Sequence, residues 1–102
     1  MNDASTNPAL ELVELLESLE RADYPWSFVV GGQARRLRRV QGSNVDTALH
    51  KLEGIADVIE AASLVDRDTR ARLGELVTQA WSLQYRNAWP DLTATPDPTP
   101  AP

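Results

Sequence analysis

A run of arginines forms the densest group of residues that could do chemistry. Arg35, Arg36, Arg38 and Arg39 lie within five consecutive positions. A guanidinium group binds phosphate or carboxylate through paired N–H donors. The cluster therefore has two interpretations: a phosphate-contacting surface of a nucleic-acid-binding module, or a surface that pairs with carboxylates.

The charge of the whole chain favours carboxylates over phosphates. The 102 residues contain 15 acidic and 10 basic side chains, for a net charge of −5, whereas nucleic-acid binding needs concentrated positive charge. The first and third predicted helices have acidic faces that together contain more charge than the cluster. We expect the four arginines to pair with these faces or to bind a partner protein, with nucleic acid as the alternative.

A second candidate site is the aromatic pair Trp81 and Tyr85, four positions apart on the fourth predicted helix. Both are offset from the apolar stripe of that helix, as is Gly74. Aromatic side chains of this kind are typical of binding hot spots in protein interfaces. The alternative is that they close the flank of the fold against Trp26 and Phe28. Packing inside the fold is favoured, and both residues stay candidates for partner binding.

Metal binding and catalysis have little support in the sequence. His50 is the single histidine; it shares a solvated helical face with Glu53 and Asp57, and such a face binds divalent ions weakly. The chain has no cysteine, no H-E-x-x-H, no phosphate-binding G-x-x-x-x-G-K-[ST] and no G-x-S-x-G. The sequence therefore predicts a protein that is not an enzyme and has no cofactor and no metal site.

Helical periodicity predicts the elements that position these residues. The first helix begins at Asn7-Pro8, a favoured cap followed by a proline suited to the first turn, and ends near Ala22. Its apolar stripe is formed by Leu12, Leu15, Leu16 and Leu19. Glu11, Glu14 and Glu17 cover the other side, with Glu20 at the edge of the stripe.

The segment 26–41 has more than one interpretation. As a helix, it collects Trp26, Val30, Leu37 and Val40 on one face. As a hairpin, residues 26–30 form a strand and Gly31-Gly32 a tight turn, but the arginine run lacks the alternation of a second strand. The third alternative is a short extended or helical segment, followed by a bend at the two glycines and a helix from about Gln33. A helix, kinked at the glycines, is favoured.

The third predicted helix runs from 43 to about 63 and has an unusually wide apolar face. That face is formed by Val45, Ala48, Leu49, Leu52, Ile55, Ala56, Val58, Ile59 and Ala62. Such a width implies contact with at least two neighbouring elements, so this helix should be central. The fourth helix begins after a cap at Asp66 or Asp68 and ends near Ala88. Its stripe is formed by Leu73, Leu76, Ala80 and Leu83.

Together these segments predict an all-α fold, a small three- to four-helix up-and-down bundle over residues 8–89. Residues 1–7 are expected to be a flexible N-terminus, and 90–102 a disordered tail rich in proline and threonine. The chain has no long apolar run and no signal-peptide layout, so we expect no membrane span and a cytoplasmic location.

The function predicted from these features is protein–protein interaction. A small regulator, adaptor or chaperone-like subunit fits the composition. Self-association into a homodimer is the simplest version, because opposite charges on one chain can pair across a two-fold axis.

Overall fold

The computed structural model describes residues 7–92, which form four α-helices. They are α1 (Pro8–Arg21), α2 (Ser27–Arg39), α3 (Ser43–Ala61) and α4 (Arg67–Tyr85). The all-α prediction is therefore confirmed. The predicted flexible N-terminus and disordered tail lie, apart from Asn7 and residues 90–92, outside the described residues.

Local capping explains where α1 and α4 begin. The Asn7 side chain accepts hydrogen bonds from the N–H groups of Ala9, at 2.9 Å, and Leu10, at 3.4 Å. The Asp66 carboxylate accepts from the N–H of Thr69 at 3.1 Å and from its hydroxyl at 2.6 Å. These bonds stabilise the charged form of Asp66 and lower its pKa.

The segment that the sequence left ambiguous is one continuous helix, so the hairpin alternative is wrong. Gly31 is buried inside α2, where a methyl group would meet the carboxylate of Glu20, the flexible end of a side chain on α1. The packing of α2 against α1 and α3 therefore outweighs the low helix propensity of the two glycines, about 1 kcal/mol each relative to alanine.

The C-terminal end of the fold differs from the prediction in two respects. Helix α4 ends at Tyr85, three residues before the predicted end at Ala88. The chain nevertheless stays packed, because Trp89 lies against the core and Leu92 is only 8% exposed. The packed region thus extends beyond the boundary predicted at Trp89.

The four helices form a ring in which each contacts two others. Helix α1 packs against α2 and α4, and α3 packs against α4 and α2, with the smallest contact between α2 and α3. Short loops join consecutive helices, as expected for an up-and-down bundle. The core is lined mainly by Leu12, Val13, Leu16, Val30, Leu37, Val45, Leu49, Leu52, Leu73 and Leu76. None of the helices within residues 7–92 combines the length and apolar character needed to cross a bilayer.

Candidate functional site

Part of the wide apolar face of α3 is left uncovered. Val45, Leu49 and Leu52 are fully buried, as their place in the predicted stripe requires. Val58, in contrast, is 60% exposed, and Ala62 is also exposed. The predicted contact of α3 with at least two neighbouring elements is confirmed, since it packs against α4 and α2. The prediction that α3 is central is wrong, because every helix of the ring contacts two others. The outer edge of the face stays uncovered because α2 makes only a small contact with α3.

The uncovered edge forms one wall of an open apolar groove between α2 and α3. The groove has a volume of about 350 Å³. Its lining residues are Trp26, Val29, Val30, Lys51, Gly54, Ile55, Val58, Ile59 and Leu64. Lys51 is the one charged residue in this lining, and it makes no ion pair within residues 7–92. We call this surface the α2–α3 groove.

Aromatic residues border the α2–α3 groove where α2 begins. The ring of Tyr24 stacks on that of Trp26, with centroids 4.7 Å apart and planes at 4°. Phe28 projects from α2 and is 72% exposed. Phe28 does not line the α2–α3 groove; it lies in a neighbouring recess with Glu20, Asp23 and Tyr24.

The arginine cluster is divided between different surroundings. Arg38 donates two hydrogen bonds to the Glu17 carboxylate, at 2.8 and 3.1 Å, and Arg35 donates one to Glu20 at 3.0 Å. The predicted pairing with the acidic face of α1 is confirmed for these two. Arg36 is half-buried and Arg39 exposed, and neither forms an ion pair in the described part of the chain. Contact of all four with phosphate would therefore require Arg35 and Arg38 to leave their carboxylate partners.

The pairing of Glu17 with Arg38 predicts a pH-dependent contribution to stability. The hydrogen bonds from Arg38 lower the pKa of Glu17 below its ordinary value of 4.5, against a smaller opposing effect of burial. Above that value, the wild type should be more stable than a Glu17→Gln variant by about 1 kcal/mol. As the pH falls through the lowered pKa of the folded state, the carboxylate is protonated and this advantage is lost.

Urea unfolding of both proteins between about pH 7 and about pH 3 measures the difference. If the difference in unfolding free energy between wild type and variant stayed constant over this pH range, that would contradict the assigned role of the Glu17 charge.

Trp81 and Tyr85 lie on a different surface from the α2–α3 groove. Their rings are stacked with centroids 5.5 Å apart, and His50 meets Trp81 edge-on at 4.8 Å. The indole N–H of Trp81 donates to the Glu53 carboxylate at 3.0 Å. The favoured expectation that these aromatics pack against Trp26 and Phe28 is wrong: their ring contacts are with each other and with His50.

This α3–α4 surface combines a half-buried Trp81 with a Tyr85 that is 80% exposed. The prediction that His50 is exposed is confirmed, and its Nδ1 lies 3.7 Å from the Glu53 carboxylate. Arg86 lines the same recess. Its mixture of both charge signs with aromatic rings contrasts with the almost uniformly apolar lining of the α2–α3 groove.

Sequence reasoning missed the α2–α3 groove as a site. A signal was present in the width of the α3 stripe, since Ile55, Val58 and Ala62 extend it beyond what one neighbour can bury. Periodicity cannot say which part of a wide face a neighbouring helix covers. No protein-family model, curated protein or solved structure matches this chain.

Proposed function

We propose that this chain is a non-enzymatic protein–protein interaction module that docks apolar side chains of a partner in the α2–α3 groove. The observation that carries the proposal is the groove itself, an open apolar recess with Val58 60% exposed on its wall. Exposed apolar area of this kind gains about 25 cal/mol per Å² when a partner removes it from water.

The lining of the groove also determines the chemistry of the partner. Lys51 is the charged residue of the lining and has no acidic partner within residues 7–92. A partner that brings a carboxylate beside its apolar side chains would satisfy this ammonium group and gain orientation from it. We therefore expect the partner segment to be apolar on one face and acidic at the edge of that face.

The biological setting follows from the same proposal. A small bundle with one docking groove suits a regulator, an adaptor or a chaperone-like subunit, in which binding itself is the activity. The absence of cysteine from the sequence fits a cytoplasmic protein, where disulfides are rarely used.

Selection from a displayed library of amphipathic helical peptides tests this function without a known partner. The apolar and flanking positions of the peptides are randomised, and the full chain is the bait. We expect enrichment of peptides with large apolar residues at helical spacing and with Asp or Glu at the edge. A Val58→Asp bait should lose this enrichment, since it introduces a charge into the groove wall.

Ala71→Asp is the matched control, because it adds the same charge at an exposed position of α4. This control bait should enrich the same peptides as the wild type. Selection that yields no common pattern with the wild-type chain, or that both aspartate variants affect equally, would refute docking in the α2–α3 groove.

A further inference from the structure

We infer that the chain has a second docking surface, the recess beside Phe28, which binds an arginine side chain from a basic segment of a partner protein. The lining residues of this recess, about 550 Å³ in volume, are Glu20, Asp23, Tyr24, Pro25, Ser27 and Phe28. We call it the Phe28 recess. The inference goes beyond the proposed function, because this surface shares no lining residue with the α2–α3 groove and fits a partner of the opposite charge.

Two aromatic rings are exposed to solvent at the Phe28 recess. Phe28 is 72% exposed and Tyr24 is 40% exposed. Phe28 lies two positions from both Trp26 and Val30, which line the α2–α3 groove. Side chains two positions apart on a helix point to opposite sides, so Phe28 faces away from that groove. Its ring therefore presents an apolar face to a different partner surface.

The charge of the Phe28 recess determines the class of that partner. Glu20 and Asp23 are the charged residues of the lining, and both are acidic. Arg35 pairs with Glu20 at 3.0 Å, whereas the Asp23 carboxylate makes no ion pair within residues 7–92. A carboxylate without a partner beside an exposed aromatic ring favours a cation, because both groups attract positive charge.

Arginine fits this surface better than lysine does. The planar guanidinium group can stack on the ring of Phe28 while its N–H groups donate to the Asp23 carboxylate. A lysine ammonium is a compact and strongly hydrated charge, so it gains less from the ring. The net charge of −5 on the chain also attracts a basic segment from a distance.

The loop between α1 and α2 holds the Phe28 recess in a fixed shape. The ring of Tyr24 stacks on that of Trp26 with centroids 4.7 Å apart, and its backbone N–H donates to the Ser27 hydroxyl at 2.7 Å. That hydroxyl donates in turn to the carbonyl of Leu19 at 2.8 Å. Because the recess is already formed in the free chain, binding requires little additional ordering.

The α3–α4 surface provides an internal comparison, since it also combines exposed aromatic rings with a carboxylate. There, however, Glu53 already accepts a hydrogen bond from Trp81 at 3.0 Å, and Arg86 lines the same recess. A guanidinium group from a partner would be repelled by Arg86. The preference for a cation is therefore expected at the Phe28 recess and not at the similarly exposed ring of Tyr85.

NMR titration of the ¹³C- and ¹⁵N-labelled full chain tests the inference. The probes are three blocked peptides of equal length in which glycine alternates with arginine, lysine or glutamate. We expect the arginine peptide to shift the ring signals of Phe28 and the amide signals of Asp23 and Tyr24. Its dissociation constant should be about 3-fold lower than that of the lysine peptide. The glutamate peptide should cause no shift.

Matched variants separate this surface from a general attraction between a basic peptide and an acidic chain. Phe28→Leu keeps an apolar side chain but removes the ring, and Asp23→Asn removes the charge at a φ of 60° that asparagine tolerates. Each should raise the dissociation constant of the arginine peptide by about 3-fold. Tyr85→Leu and Asp57→Asn remove an exposed ring and an exposed carboxylate outside the recess, and they should leave the constant unchanged.

The result that overturns the inference is a set of shifts that spreads along the acidic faces of α1 and α3 without centring on Phe28. Equal weakening by Asp23→Asn and Asp57→Asn, or equal binding of the arginine and lysine peptides, would also overturn it. If the arginine peptide does not bind while peptide selection still depends on Val58, the second surface is wrong and the proposed function stands. If it binds at Phe28 while that selection fails, this inference stands and the proposed function is wrong.

Discussion

Replacing Leu16 with alanine is expected to lower the free energy of unfolding by about 3 kcal/mol. Leu16 is fully buried on α1, the helix that packs against both α2 and α4. The substitution removes apolar contacts and leaves a cavity that the surrounding helices can fill only in part. For a domain of this size, that loss corresponds to a fall in melting temperature of about 15 °C.

The neighbouring residue provides a matched control. Leu15 is only half-buried, so Leu15→Ala should cost less than about half as much as Leu16→Ala. Thermal unfolding followed by circular dichroism measures both values. Equal losses of unfolding free energy from the two substitutions would contradict the conclusion that the Leu16 side of α1 faces the core.

The second large effect is expected at Ser27, the one buried polar side chain among the described residues. Its hydroxyl accepts a hydrogen bond from the N–H of Tyr24 at 2.7 Å and donates one to the carbonyl of Leu19 at 2.8 Å. Ser27→Ala leaves both backbone groups without this partner. The expected loss is about 2 kcal/mol, the typical cost of unsatisfied groups at a buried position.

Ser18→Ala is the control for this prediction. The Ser18 hydroxyl also donates to a backbone carbonyl, that of Leu15 at 2.8 Å, but in an exposed setting where water can replace it. We expect a loss of less than about 0.5 kcal/mol at Ser18 in urea unfolding. If Ser27→Ala proves as mild as Ser18→Ala, the hydroxyl does not hold the α1–α2 loop.

The helices that could be predicted from the sequence are those whose signals are local. Asn7-Pro8 and Asp66 mark helix starts through contacts with residues two or three positions away. Periodicity then identifies the buried side of each helix. These signals do not depend on how the helices are arranged, so the all-α fold follows from them.

Features that depend on contacts distant in sequence could not be predicted. The helix across 27–39 remained ambiguous because its two glycines disfavour a helix locally, while the contacts that stabilise it are made with α1 and α3. Leu92 lies in a segment whose composition is typical of disorder, yet it packs on the core. Composition and periodicity contain no information about such contacts.

The candidate site could likewise be predicted only in part. The sequence indicated that α3 has more apolar surface than one neighbour can cover, and it singled out the exposed Tyr85. It did not predict that Trp26 and Trp81 lie on different surfaces, since that depends on the order of helices around the ring. The α2–α3 groove exists because α2 and α3 make the smallest of the four helix contacts.

The central claim, docking in the α2–α3 groove, is tested most directly by backbone amide chemical shifts. The ¹⁵N-labelled full chain is recorded by NMR during titration with an amphipathic peptide selected on the full chain. We expect the largest shifts around Val29, Ile55 and Val58, with little change near Trp81 and Tyr85. Largest shifts at Trp81 and Tyr85, or along Arg35–Arg39, would contradict docking in the α2–α3 groove, as would the absence of any shift.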